Sequence, residues 1–333
     1  MREELDITDG LADNRVVVLD PCCGTGAYLV ETFRRIHRTL LEKGDDALIA
    51  QRLKKAALER IIGFEILPAP FVIAHLQIGL MLRKIGAPLL EENERAGVFL
   101  TNALTGWEKI PTPNDDTYFS PEFEKEREAA DHVKRDTPIL VVIGNPPYNA
   151  FAGTSPVEEA GLVEPYKEGL SKPISQGGWG IKKFNLDDLY VRFFRIAERR
   201  IVKSGKGIVS FISNYSWTRE PSFVVLRKRL LESFDKFWIE NMHGNRKISE
   251  YAPDGRTSET IFAIPGFSPG IVQGVVISLW LRRENHDESG KMAQVLYRDD
   301  IDDAKAVDRR KQLLDSLDDG DFLKQYVQLL NRN

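Results

Sequence analysis

Two short segments carry residue types that can do chemistry. One is Val16-Val17-Val18-Leu19-Asp20-Pro21-Cys22-Cys23-Gly24-Thr25-Gly26; the other is Ile139-Leu140-Val141-Val142-Ile143-Gly144-Asn145-Pro146-Pro147-Tyr148. Each is an apolar run that ends abruptly in small, rigid or polar residues. A buried parallel strand has this form when it delivers a site at its carboxyl end. In the first segment Gly24 and Gly26 permit a tight turn through which backbone N–H groups approach a ligand. The helix that follows would aim its positive N-terminus at the same place. Position 29 is Leu rather than the third glycine of a dinucleotide fingerprint. An acid at the strand tip, Asp20, suits an amine-bearing ligand better than a pyrophosphate.

The second segment suits an exocyclic amine on a planar ring, whose lone pair is delocalised and poorly nucleophilic. The Asn145 side-chain oxygen and the Pro146 carbonyl can each accept one N–H, which draws the nitrogen toward a tetrahedral geometry and aims its lone pair at an electrophilic methyl group. Positioning and preorganised acceptors would do most of the work, with no acid–base dyad and no metal. The two prolines fix the backbone, and Tyr148 can stack on an extruded base. Glu65 closes another apolar run, Gly63-Phe64-Glu65-Ile66, and can accept both hydroxyls of a ribose. Asn102, after a third run, could touch an adenine ring. A plain structural use exists for each: an exposed acid on a βα turn, or a proline turn capping a strand.

Several elements must position these residues. Residues 15–20, Arg60 to Glu65, Val98 to Leu100, Ile139 to Ile143, Gly207 to Ile212, Phe237 to Asn241, Glu259 to Ile264, Val272 to Leu281 and Gln294 to Tyr297 read as strands. Helical spacing covers 27–41, 47–60, Ala69 to Lys84, Leu186 to Val202 and Pro221 to Phe234. This alternation implies an α/β fold, a doubly wound, mostly parallel sheet with an antiparallel edge strand. Residues 106–136 read as a polar insertion with a charged, helical end. Residues 149–183 form a Gly-, Pro- and Ser-rich loop long enough to be mobile and functional. Residues 1–283 read as one domain, and 284–333 as a linker and helical tail whose segment Ala304 to Leu317 is amphipathic.

Composition narrows the function classes. The chain has 333 residues, 42% hydrophobic and 29% charged, enough apolar material for a large core. Its formal net charge is −4, whereas an autonomous DNA binder usually carries a basic excess. Nucleic-acid contact would therefore need a local patch. Cys22 and Cys23 are adjacent, so they make neither a staple nor a zinc set, and a reducing cytosol is the natural compartment. No membrane span or signal peptide is read. The longest apolar stretch, Phe71 to Leu82, is broken by His75 and Gln77 and reads as a buried helix.

At these residues the chain resembles the amino-group DNA methyltransferases that use S-adenosylmethionine. Asp20-Pro21-Cys22-Cys23-Gly24-Thr25-Gly26 resembles their cofactor motif, and Asn145-Pro146-Pro147-Tyr148 their catalytic motif in its adenine-N6 form. The order of the two is that of the gamma class. Asp187-Asp188-Leu189-Tyr190-Val191 is similar to the helix start that lines their cofactor-adenine pocket, and Gly207-Ile208-Val209-Ser210-Phe211-Ile212-Ser213-Asn214 to the strand after it. More narrowly, residues 15–283 resemble the methylase part of type ISP and type IIG-like restriction-modification enzymes. The resemblance implies a seven-stranded Rossmann-like methyltransferase sheet. It implies cofactor contacts from Asp20, Pro21, Cys22, Gly24, Thr25, Gly26, Glu65, Ile66, Asn102, Ala103 and Asp187, and catalysis by Asn145, Pro146, Pro147 and Tyr148. It further implies double-stranded DNA with a flipped adenine as substrate, and S-adenosylhomocysteine as product.

Two departures from that pattern stand out. The few residues before Val16 hold no Phe, Tyr or Trp where the family has an aromatic cofactor contact, and no basic, aromatic-rich target-recognition domain follows residue 283. The expectation is a fragment, or a protein that depends on a separate target-recognition domain and on nuclease or helicase regions. Two other readings stay open: methylation of RNA adenine or of a protein glutamine amide, and a non-catalytic module that binds cofactor or DNA. Phe151, Trp179 and Trp217 are candidate base contacts. Lys182-Lys183, Arg199-Arg200 and Arg227-Lys228-Arg229 read mainly as solvated faces. His75 reads as a core histidine, His243 as a loop residue without an identifiable partner, and Cys23 as packing.

Overall fold

The computed structural model describes residues 1–333 apart from 45–47, 92–93, 108–120, 149–158, 160, 185, 264–272, 318–321 and 330–333. Phe151 lies outside the described residues. The chain divides into two units, the first comprising 1–147 with 153–160 and 199–207, the second the remainder.

In the first unit the elements run α1 (Arg2–Leu5), β1 (Val18–Asp20), α2 (Ala27–Glu42), α3 (Ile49–Glu59), β2 (Ile61–Glu65), α4 (Pro68–Lys84), β3 (Val98–Leu100), α5 (Pro121–Asp136) and β4 (Val141–Gly144). The strand order is β3-β2-β1-β4, and all three pairings are parallel. Val18 lies opposite both Ile61 and Val141, so the carboxyl ends of β2, β1 and β4 share one rim. β1 is shorter than the apolar run predicts: Val16, buried, and Val17, half-buried, precede the ladder rather than join it. Leu29, Val30, Phe33, Ile36 and Leu40 form the buried stripe of α2.

The apolar stretch expected to be a buried helix is α4, and only one stripe of it is buried. Ala74, Ile78 and Leu82, four residues apart, are at 1% exposure or less, whereas Val72, Leu76 and Leu80 are 59%, 58% and 58% exposed. A helix with apolar residues at most positions around it does not tell from sequence which stripe meets the core. Among the described residues no helix is long and apolar enough to cross a membrane.

The second unit contains the start of α6 (Leu189–Ser204), then β5 (Gly207–Asn214), α7 (Ser216–Arg219), α8 (Val224–Ser233), β6 (Lys236–Asn241), β7 (Val275–Arg282), β8 (Gln294–Arg298), α9 (Ala306–Leu317) and β9 (Val327–Leu329). Its strand order is β5-β7-β6-β8-β9. β7 runs antiparallel to β6, β8 parallel to β6, and β9 antiparallel to β8 at the end of the order. The fold is mixed α/β; the antiparallel strand expected at the edge is β9, whereas β7 is antiparallel in the interior, between β5 and β6, and β8 and β9 take the number of strands past the expected seven. Chain beyond 283, read as linker and tail, supplies β8, α9 and β9, with Ile301, Ala304 and Ala306 buried.

Trp280, fully buried, centres the aromatic core of this unit, with Phe194, Phe211, Phe234 and Phe237 around it. Trp217 joins that cluster at 3% exposure and donates its indole N–H to Ser213, so it is a core residue and not a base contact. The described part of the loop expected to be mobile, 161–183, is anchored by buried Tyr166 and Leu170, and the Tyr166 hydroxyl donates to Glu198 at 2.6 Å. The strand expected over Glu259 to Ile264 is absent from its described residues. Glu259 instead caps α9, its Oε2 accepting the Ala306 N–H at 3.1 Å and its Oε1 pairing with Lys305.

Candidate functional site

The first candidate segment folds as a strand tip, a turn and a helix start. Asp20 closes β1 fully buried, and its Oδ1 accepts the Cys22 N–H at 3.0 Å. Gly24 and Gly26 adopt left-handed φ values of 54° and 85°, which side chains rarely take. Gly26 also packs closely, since a Cβ there would stand 3.1 Å from the Ala74 Cβ on α4. The turn is strapped to β2 by the Cys23 N–H donating to the Phe64 carbonyl at 2.9 Å. Pro21 is buried, Cys22 half-buried and Thr25 exposed.

The other oxygen of Asp20, Oδ2, is buried and has no hydrogen-bond partner among the described residues. Burial pushes the Asp20 carboxyl up to about 7, and the charge of Glu65 adds to the rise, against the opposing hydrogen bond from Cys22. A buried acceptor without a donor is costly unless a ligand or water supplies one. An ammonium group would supply both the donor and the countercharge. Burial, with the Asp20 charge, also pushes the Cys22 and Cys23 thiols up, so neither is a nucleophile at neutral pH.

Glu65 ends β2 and turns its Oε1 onto the first amides of the following segment, accepting from Ile66 at 2.8 Å and Leu67 at 2.7 Å. Ile66 is 62% exposed beside it. Asn102 follows β3, its Oδ1 accepting the Leu104 N–H at 2.9 Å while its carbonyl accepts from Lys134 at 2.9 Å. That bond occupies the side-chain oxygen of Asn102, and its amide nitrogen is the side chain's donor. Ala103 is buried next to it.

The second segment is brought to the first. β4 lies beside β1 in parallel, with Leu19 opposite Val142, so the residues after Ile143 emerge next to the Asp20 turn. A Cβ on Gly144 would fall 2.8 Å from Asp20 Oδ1 and 3.3 Å from Cys22 Sγ. The Asn145 N–H reaches the Cys22 sulfur. Asn145 is half-buried, Pro146 buried and Pro147 exposed. Asp20, Glu65, Asn102 and Asn145 therefore belong to one rim of the first unit. Gly144 is not among the site residues expected from the sequence; only the pairing of two strands reveals its role.

Tyr148 and Asp187 lie in the second unit. Tyr148 meets the buried Tyr190 edge-on, with ring centroids 6.4 Å apart at 89°. Asp187 is half exposed and pairs with Lys167 at 3.0 Å. Tyr190 and Asp188 help to line a cavity of about 560 Å3, together with Asn214, Gln273, Lys183 and Lys247.

The remaining candidates sort by partner. His75 donates to the Val98 carbonyl, 3.2 Å away, as a packed histidine does. His243 has the partners its sequence context hid: Glu250 at 2.8 Å and Asp299 at 3.1 Å. Arg200 donates to the Lys134 carbonyl, Arg227 to the Trp217 and Glu220 carbonyls, and Arg229 to Glu198, so these basic residues serve packing. Trp179 is 44% exposed. Among the described residues no group of His, Cys, Asp and Glu could hold a metal ion.

The sequence profile of the family described as Eco57I restriction-modification methylase matches residues 59–246, more than half of the chain. No curated protein matches. Among solved structures, the type ISP restriction-modification enzyme LlaBIII bound to DNA is 23% identical, with a TM-score of 0.74 over 97% of this chain. A DrdV–DNA complex is 25% identical, with a TM-score of 0.63 over 86% of this chain. A nuclease-deletion mutant of the type ISP enzyme LlaGI, with a DNA substrate mimic, gives 21% and 0.73 over 97%. The chain spans 20% of the LlaBIII chain, 25% of the DrdV chain and 24% of the LlaGI chain.

Proposed function

Because the chain belongs to the Eco57I restriction-modification methylase family, we propose that it transfers a methyl group from S-adenosylmethionine to N6 of adenine in DNA. One observation carries the reading: the buried Asp20 carboxylate and the backbone leading into Asn145 touch at Gly144. A cofactor held by the first and an amine held by the second would then be within reach of each other.

The residues fit S-adenosylmethionine. The orphaned Oδ2 of Asp20 awaits a donor such as an ammonium group. Glu65 keeps one oxygen on its helix amides and has the other for ribose hydroxyls. Asn102 and Ile66 offer an amide and an exposed apolar side chain to a purine. When bound, the cofactor supplies an electrophilic methyl whose bond to sulfur breaks as the bond to N6 forms, leaving S-adenosylhomocysteine and one proton. Asn145 Oδ1 and the Pro146 carbonyl accept the two N–H groups of the amine and orient its lone pair. Pro147 holds that carbonyl in place, and Tyr148 stacks on the base. A flipped adenine in double-stranded DNA, in the cytoplasm, is the proposed setting. Recognition of a specific site is assigned to a target-recognition region, and the nuclease or helicase functions to other parts of a restriction-modification system.

The 25%-identical relative, DrdV, is seen in complex with DNA, which favours DNA over RNA adenine or a glutamine amide. The test is transfer of a labelled methyl group to plasmid DNA, RNA and protein in parallel, followed by nucleoside analysis of the product. N6-methyladenine in DNA, abolished in Asn145→Ala, is expected. Label in protein or on cytosine would overturn the reading.

A further inference from the structure

The loop joining β6 to residue 258 does not behave as a solvated connection. Glu250 ties it at both ends of its first turn, with Oε1 on His243 at 2.8 Å and Oε2 accepting the Asn245 N–H at 2.7 Å. A small hairpin follows, closed by the Tyr251–Thr257 bridge and by the Ser258 N–H donating to the Glu250 carbonyl at 3.0 Å. His243 and Ser249 hold φ values of 55° and 53°, two of the three non-glycine residues in the left-handed region among the described residues. Such conformations cost free energy and persist where the surroundings impose them, commonly at functional sites.

This fixed loop presents an unusual set of side chains. Ile248 and Tyr251 are 68% and 64% exposed. Between Gly244 and Ile248, Arg246 and Lys247 are exposed and have no ion pair among the described residues. Arg256 differs, since Asp254 holds it. Lys247 also lines the 560 Å3 cavity, and so does Tyr190, whose hydroxyl is buried and has no hydrogen-bond partner among the described residues. Tyr190 is in turn the edge-on neighbour of Tyr148.

We infer that residues 246–251 form a DNA-contacting element: Arg246 and Lys247 meet phosphates, and Tyr251, with Ile248, packs against bases exposed beside the cavity. This rests on the proposed DNA substrate. Two unpaired cations supply the local patch that a chain of net charge −4 needs. An exposed aromatic and an aliphatic side chain on a rigid support have the form of a wedge for unstacked bases. Phosphate contacts alone would leave Tyr251 and the strained backbone without a purpose.

The test is anisotropy of a fluorescein-labelled 30-base-pair duplex and of its single strand, titrated with the intact chain across a salt series. Methyl transfer to plasmid DNA and cofactor binding are measured in parallel. Replacing Arg246 and Lys247 together by Ala should lower the slope of log affinity against log salt by about 2. Arg38→Ala, an exposed cation elsewhere, should leave affinity almost unchanged. Tyr251→Ala should weaken single-strand binding by about 5- to 100-fold with the slope unchanged, raising KM for DNA but not lowering kcat. Tyr251→Phe keeps the ring and should bind as wild type; equal loss in both Tyr251 variants would overturn the stacking role. If the wild-type chain methylates DNA while the loop variants bind like it, the loop assignment falls and the methyltransferase reading stands. If the wild-type chain takes up cofactor but neither binds nor methylates DNA, both fall together.

Discussion

Gly144 stands against Asp20 so closely that a Cβ on it would fall 2.8 Å from the carboxylate Oδ1 and 3.3 Å from the Cys22 sulfur. The strand carrying Asn145 can lie beside the glycine turn only because its last residue lacks a side chain. Gly144→Ala should push the strand tip and the turn apart by a few tenths of an ångström. The expected result is a cofactor affinity lower by about tenfold or more, since small displacements in a preorganised site cost much. Calorimetric titration with S-adenosylmethionine measures it, and thermal melting should show a loss of no more than about 3 kcal/mol, the range for overpacking. Unchanged affinity would remove Asp20 from the cofactor site.

Asp20 should trade stability for binding. Its carboxyl is raised to about 7, chiefly by burial. A group whose folded value lies above its unfolded one favours the folded state below the unfolded value, and that contribution is lost as pH rises through the folded value. The ligand-free protein should therefore weaken between about pH 4 and 7, by at most about 4 kcal/mol from this group. Asp20→Asn, neutral at every pH, should unfold at higher urea than wild type at pH 8 and show no gain near pH 4. The same variant should lose cofactor affinity, and wild-type affinity should fall as pH drops below about 7, where the acid takes up its proton. A variant that is less stable at pH 8 would contradict the assignment.

Glu65 has one job on Oε1 and, under the proposed function, a second on its other oxygen, and the two can be separated. Oε1 accepts the Ile66 and Leu67 amides, which Gln at this position can still satisfy. Glu65→Gln should leave the melting temperature nearly unchanged, whereas Glu65→Ala should cost about 1 kcal/mol through the lost cap. Both should raise KM for the cofactor, Gln by about tenfold, because with its one oxygen kept on the cap amides Gln turns an NH2 donor toward the ribose hydroxyls in place of a charged acceptor oxygen. If Glu65→Gln binds cofactor normally, the residue is a cap and nothing more.

Much of the first unit was legible because β1, β2 and β4 are apolar runs stopped by a residue of the proposed site or next to one: Asp20, Glu65, and Gly144 before Asn145. What the residues could not reveal were relations between distant positions. Gly144 mattered only once β1 and β4 were paired. Glu259 to Ile264 mimics a strand, yet Glu259 serves α9, more than forty residues later. Trp217 follows a strand tip, as a ligand-facing aromatic would, but the aromatic ring set around Trp280 claims it. The apolar stretch in α4 predicted its helix and not its exposed stripe, since periodicity is blurred when apolar residues occupy most positions on every side.

His243 gives a prediction that separates fold from chemistry. Burial lowers its basicity, but the hydrogen bond and charge of Glu250 and the charge of Asp299 outweigh that, and Arg309 opposes them; the net direction is upward from the ordinary value of 6.5. Asn241 completes the surroundings, its amide donating to Asp299 at 2.7 Å. Raised in the folded state, the histidine contributes stability that is full below about pH 6.5 and is lost as pH rises through the higher folded value. Glu250 is shifted down, chiefly by His243 and the Asn245 N–H acting against burial, so its share is lost only at acid pH. The loop should therefore be most firmly held in the weakly acidic range. His243→Asn tests this, because Asn tolerates the left-handed backbone that His243 occupies. Its urea midpoint should fall below wild type at pH 6 and approach it at pH 9, with cofactor affinity unaffected. A deficit of equal size at both pH values would show that packing, not charge, is what His243 contributes.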